Sequence, residues 1–186
     1  MKWTEYQKEA LKTAIYPGDF TGILYTSLGL VDEIYEFYES IGSGGEAKEL
    51  GDVCWYIACF SNEVGILMED TETLAEELEE QVSFCSVFDA TEQMKSAASK
   101  ICGLMKKYIR DEQFWTHKPS TDKKAKAQVE LAYIILSVYY ICRYLEILWL
   151  DVAKLNINKL NSRKDRGKLQ GSGGSLPREN SKTYKS

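Results

Sequence analysis

Histidine occurs once in the 186 residues, as His117, and that scarcity removes most imidazole chemistry from consideration. A ferritin-like di-iron centre needs Glu-x-x-His pairs, so it is excluded. Cys54, Cys59, Cys85, Cys102 and Cys142 are odd in number and show no CxxC spacing, which excludes the usual zinc patterns. They read as reduced residues of the core. Proline is rare, at 17, 119 and 177, and between these breaks apolar residues recur at steps of three and four. That period excludes a β-protein and predicts an all-α domain. Long uncharged apolar runs are missing as well: residues 131–142 fall short of the ~18 that a membrane span requires, so this stretch reads as a buried helix. The chain opens Met-Lys-Trp-Thr-Glu with no apolar leader, and a reducing cytoplasm is the expected location. Gly42-Ser43-Gly44-Gly45 lacks the Gly-Lys-Ser/Thr ending of a P-loop and reads as a turn.

What is present is charge, unevenly placed. Residues 154–186 hold nine Lys/Arg against two Asp/Glu, a net of +7, which leaves −12 for residues 1–153 of a chain whose total is −5. The expected organisation is one domain over residues 1–168 and a basic, Gly/Ser-rich tail over 169–186. The seven net positive charges of residues 154–186 would suffice for salt-sensitive nucleic-acid binding, but the acidic body argues against that partner. Five to six helices are expected in a bundle. The first spans about 5–14 behind a Thr4/Gln7 capping box. The second starts at an Asp19 cap after the Tyr16-Pro17-Gly18 turn and reaches about residue 41. Its inward residues are read as Leu24, Leu28, Val31, Ile34 and Phe37 or Tyr38. The third covers about 46–68, and the acidic segment 69–80 reads as a solvated helix face. An Asp89/Glu92 box opens a helix over 90–110. A loop with Trp115 and His117 precedes a pattern over 122–163, long enough to invite a kink or break.

Glu33 and Glu36 are three apart, and so are Glu49 and Asp52. A three-residue step leaves two helical side chains within ~60° of one face. The short glycine-rich turn between the pairs favours antiparallel helices, which bring four carboxylates together. Oxygen donors without imidazole or thiolate suit a hard cation such as Mg²⁺, and four carboxylates in apolar surroundings demand one. Mg²⁺ held this way takes part of its shell from substrate phosphates, and the basic end supplies a complement: Asn156, Lys159 and Arg163 share one helix face. Trp3, Tyr6, Trp55, Tyr56, Trp115 and Trp149 are each candidates for stacking on a base or for the core.

Gly29-Leu30-Val31-Asp32-Glu33-Ile34-Tyr35-Glu36, followed by Lys48-Glu49-Leu50-Gly51-Asp52-Val53-Cys54-Trp55-Tyr56, resembles the EExxE…ExxD signature of MazG-like nucleoside triphosphate pyrophosphohydrolases. Asn156-x-x-Lys159-Leu160-x-x-Arg163 with Arg166-Gly167 is similar to that family's C-terminal phosphate-binding segment. Asp32 replaces the signature's first glutamate, keeping the charge with a shorter reach. The resemblance covers residues 19–60 and 153–168. It implies an all-α fold and Mg²⁺-dependent hydrolysis of a ribo- or deoxynucleoside triphosphate between the α and β phosphates, with Mn²⁺ as a substitute ion. Glu33, Glu36, Glu49 and Asp52 would hold the metal and orient the attacking water. Asn156, Lys159, Arg163 and Arg166 would meet phosphate, and Trp3 and Tyr6 on the N-terminal helix would line the base pocket. A dimer or tetramer is implied too. The competing expectation is a non-catalytic helical interaction or regulatory protein with a degenerate metal site.

Overall fold

A computed structural model describes residues 1–16, 20–112 and 118–169. Among these residues there are seven α-helices, one 3₁₀ turn and no strand: α1 Trp3–Ala10, the turn Leu11–Thr13, α2 Phe20–Ser40, α3 Glu46–Val64, α4 Met68–Glu79, α5 Val87–Asp111, α6 Thr121–Tyr144 and α7 Trp149–Asp165. The all-α expectation holds. The count exceeds five to six because the pattern over 122–163 divides into α6 and α7. The expected Asp19 cap, the Pro17-Gly18 part of the first turn, Trp115, His117 and the tail beyond Leu169 lie outside the described residues.

The division at residues 145–148 is a helix-stop signal written in backbone geometry. The Glu146 N–H donates to the Arg143 carbonyl at 3.2 Å and the Ile147 N–H to the Cys142 carbonyl at 2.9 Å, a Schellman pairing that satisfies the last carbonyls of α6. Such a stop needs a left-handed residue, and Glu146 takes it with φ 56°. A glutamate there costs ~1 kcal/mol that glycine would avoid. The same motif closes α3 four residues before the expected end, with Gly65 at φ 78° and the Ile66 N–H donating to the Ser61 carbonyl at 2.8 Å. Two other boundaries also shift. The Lys2 N–H donates to Glu5 Oε2 at 3.0 Å, so α1 begins earlier than a Thr4 cap would give. Ser86, not Asp89, caps α5: its hydroxyl accepts the Asp89 N–H at 3.1 Å, while Asp89 Oδ2 accepts the Cys85 N–H at 3.0 Å.

α3 lies at the centre, packed by α2, α7 and α1, while α5 carries α2 on one side and α6 on the other. Leu50, Val53, Cys54, Ile57, Ala58, Cys59, Phe60 and Val64 of α3 are all fully buried, which explains the apolar run from Val53. α6 is long and apolar enough to cross a membrane by composition, yet 56% of its apolar window is already buried against protein. The inward face of α2 matches the expected one at Ile34 and Phe37 but departs from it in the first half of the helix, where Leu24 is only half-buried. Ile23, Ser27, Leu30, Ile34 and Phe37 face the core, whereas Leu28 is 69% exposed and Val31 and Tyr35 also face outward. Either register satisfies a three- and four-residue period. Contact with α3 and α5 chose between them. Cys54, Cys59 and Cys142 are buried as expected, Cys102 is half-buried, and Cys85 is exposed because it sits in the α4–α5 connection.

Candidate functional site

The α2–α3 hairpin builds the acidic cluster. Its turn reverses the chain through Gly42 (φ 85°) and Gly44 (φ 82°), both in the left-handed region where a side chain would be strained. Glu33, Glu36 and Glu49 each then offer an oxygen within 4.8 Å of the other two. Asp52, one turn along α3 from Glu49, is drawn aside by α7. Lys159 Nζ contacts both Asp52 oxygens, and Asn156 Nδ2 donates to Oδ1 at 3.0 Å. α7 comes this close because residue 51 is glycine. A Cβ there would lie 2.9 Å from Asn156 Cβ. The fully buried Tyr6 hydroxyl donates to Asn156 Oδ1 at 2.8 Å and so turns the amide's NH₂ towards Asp52.

The four carboxylates are therefore unequal. Glu33 has one buried oxygen, Oε2, with no hydrogen-bond partner among the described residues. Burial, then the charges of Asp52 and Glu36, push its carboxyl up to about 8, while Lys159 opposes the shift. Glu36 is also raised, by burial first and then by Glu49. Lys48 lies against Glu49. The donor set is all oxygen, converges on one point and includes a buried atom lacking a partner. Glu33, Glu36 and Glu49 could together hold a hard divalent cation, with Asp52 adjacent.

These groups form one end of a cleft of about 440 Å³, where Asp32, Glu33, Glu36, Glu49 and Asp52 are joined by Lys48 and Arg163. The other end is aromatic, made by Tyr16, Tyr25, Trp55 and Tyr56 with Thr13 and Ile15. Tyr16 and Tyr25 stack with centroids 4.9 Å apart, and Trp55 meets Tyr56 edge to face at 4.9 Å. The Trp55 indole N–H donates to Thr13 Oγ1 at 3.0 Å, anchoring this wall to the 3₁₀ turn. The Tyr56 ring packs against the bare backbone of Gly29, where a Cβ would come within 2.0 Å of it.

Trp3 and Tyr6 lie elsewhere. Both are fully buried, Trp3 stacked on Trp149 at 4.3 Å and Tyr6 edge to face with it, and neither lines the cleft. They lock α1 onto α7 instead of presenting a face to a ligand. Arg163 lines the cleft, whereas Arg166 is exposed at the end of α7 with Nε donating to the Ser162 carbonyl at 3.0 Å. Tyr16, Tyr25 and Lys48 were not anticipated. For Tyr25 a signal was available, since it stands seven residues, two helical turns, before Asp32; Tyr56, already a stacking candidate, stands one turn beyond Asp52 on its face.

No protein-family profile and no solved structure matches this chain. The gene 37 protein of Mycobacterium phage L5 is 36% identical over 76 residues, which are 41% of this chain and 64% of the phage protein. The chain thus spans less than two thirds of that relative's length. The phage protein's name states no activity.

Proposed function

We propose that this protein hydrolyses nucleoside triphosphates at the α–β phosphoanhydride, releasing a nucleoside monophosphate and pyrophosphate, with Mg²⁺ or Mn²⁺ as cofactor. One observation carries the reading: a single cleft joins an oxygen-only carboxylate cluster, a cationic rim and an aromatic wall. A triphosphate needs those three parts within reach of one another. Its anionic chain meets the cation and Lys/Arg, and its base meets ring faces. The resemblance of residues 29–36 and 48–56 to MazG-like enzymes supports the same reading.

In this mechanism Glu33, Glu36 and Glu49, with Asp52, hold the cation, which when bound lowers the pKa of a water and offsets charge on the phosphates. One carboxylate of the four orients the attacking water. Arg163 and Lys48 neutralise the polyphosphate oxygens, and Lys159 joins them from α7. Arg166 has its Nε turned back onto α7 and serves at most the outer phosphate. Tyr16, Tyr25, Trp55 and Tyr56, in place of Trp3 and Tyr6, form the base wall. Catalysis is assigned to the cytoplasm. Incubating the protein with a panel of ribo- and deoxynucleoside triphosphates and Mg²⁺ tests the proposal: pyrophosphate is the expected first product, and orthophosphate first would assign a different phosphatase reaction.

The second reading, a non-catalytic interaction protein, is favoured by the outward stripe of α2, where Tyr25, Leu28, Val31 and Tyr35 line up at helical spacing beside a groove of about 780 Å³. The two readings meet in a homo-oligomer, because that groove shares Tyr25, Asp32 and Tyr56 with the cleft. A second copy on the stripe would cover the open aromatic end. Failure to form product from any nucleotide would leave the interaction protein as the function.

A further inference from the structure

Asp52 has a resident cation of its own. Lys159 Nζ touches both of its oxygens and Asn156 Nδ2 donates to one of them. The arrangement is built from the core outward: Asn156 is 1% exposed, its amide is oriented by the buried Tyr6 hydroxyl, and that hydroxyl also lies 3.3 Å from the Gly51 carbonyl oxygen. Lys159 itself is only 16% exposed along its side chain. Glu33, Glu36 and Glu49 are the opposite case, converging on one another around a buried oxygen that lacks a partner. A divalent cation drawn to that triad meets Asp52 with its oxygens already engaged by an ammonium.

We infer that Lys159 is an exchangeable counter-ion, which competes with the divalent cation for Asp52 and is released towards the Arg163 side of the cleft when the cation enters. Asn156 keeps its hydrogen bond and holds the carboxylate in place during the exchange. The inference rests on reading the carboxylates as a cation site and adds an order to it: the cation frees the ammonium that a phosphate chain then takes. Linkage makes the effect reciprocal, since a phosphate that holds Lys159 leaves Asp52 to the cation. Lys159 is thus a positioning residue for the metal as well as a phosphate ligand.

The test uses Mn²⁺ alone, with its dissociation constant measured by electron paramagnetic resonance in the absence of nucleotide. Lys159→Met is expected to bind Mn²⁺ at least about fivefold more tightly than the parent, the lower end of coupling between two ligands that share a group. Lys159→Gln serves as a second variant should the methionine variant misfold. The gain must vanish in the Asp52→Asn background, because the double cycle isolates the pair from the general field of a lysine. Unchanged affinity in Lys159→Met, or equal tightening with and without Asp52, overturns the inference. If the parent binds Mn²⁺ and releases pyrophosphate while the variants show no gain, only the exchange is lost. If the parent neither binds Mn²⁺ nor forms pyrophosphate, the site reading falls and the exchange with it.

Discussion

The two carboxylate pairs share a spacing and differ in everything that tertiary packing adds. Among the described residues no lysine is ion-paired with Glu33 or Glu36 on α2, and Glu33 is pushed up to about 8 by burial and by its acidic neighbours. Glu49 and Asp52 on α3 are each covered by an ammonium, from Lys48 one residue away and from Lys159 on a distant helix. Equal spacing therefore does not give equal chemistry. The α3 pair already carries two ammonium partners, and under the proposed exchange a cation entering the cluster would have to displace one of them.

The strongest way to break this comparison is to remove one member of each pair. Glu36→Ala and Asp52→Ala should each lower pyrophosphate release by at least about a thousandfold, with unchanged far-UV circular dichroism, since each removes a group needed for charge stabilisation. Retained turnover in either variant would mean that one pair suffices. Next is Gly51→Ala. Its Cβ would press on Asn156 Cβ, so a destabilisation of about 1–3 kcal/mol is expected by urea titration, together with loosening of the Asp52 network.

The pH dependence sharpens the contrast at the level of stability. Because Glu33 titrates near 8 when folded and near 4.5 when unfolded, the folded state binds the extra proton between those values. In EDTA, stability should therefore fall as pH rises from about 4.5 to 8, and Glu33→Gln should flatten that slope. Urea midpoints at several pH values decide it, and an unchanged slope would remove Glu33 as the strained member.

Smaller effects separate the cleft's aromatic end from the aromatic core. Tyr25→Ala should raise KM for nucleotide about tenfold, in line with ~1–3 kcal/mol for a stacked base, with little change in the urea midpoint. Trp3→Ala should do the reverse, costing about 3–5 kcal/mol of stability. The smallest change is expected for Leu28→Asp, within about ±0.5 kcal/mol for the folded monomer because the side chain is already 69% exposed. Light scattering on that variant should report a smaller species than the parent if the α2 stripe pairs two copies.

Much of the hairpin was legible because its signals are local. The three-residue steps, the glycine turn and the apolar run after Val53 together specify two antiparallel helices with four carboxylates between them. The face that α2 turns inward was less legible, since Leu28 and Val31 satisfy a helical period as well as Ile23 and Leu30 do. Trp3 and Tyr6, read as candidates for lining a base pocket, are core residues for a related reason. An aromatic residue on an amphipathic helix suits a core or a pocket equally, and burial against Trp149 claimed Trp3 and Tyr6. The Ser86 cap and the Schellman stop at Glu146 depend on hydrogen bonds that composition only hints at.

The sequence by itself determined the helical class, the hairpin and the oxygen-only donor set, because period, turn residues and side-chain chemistry act over a few neighbouring positions. Only the tertiary structure decided which carboxylate carries a lysine, which keeps an unpartnered oxygen and which rings border the cleft. Those outcomes depend on the approach of α7 to Gly51 and of Tyr56 to Gly29. The Asp52–Lys159 pairing joins segments 107 residues apart, and the desolvation of Glu33 likewise depends on packing between helices, so no local pattern records either.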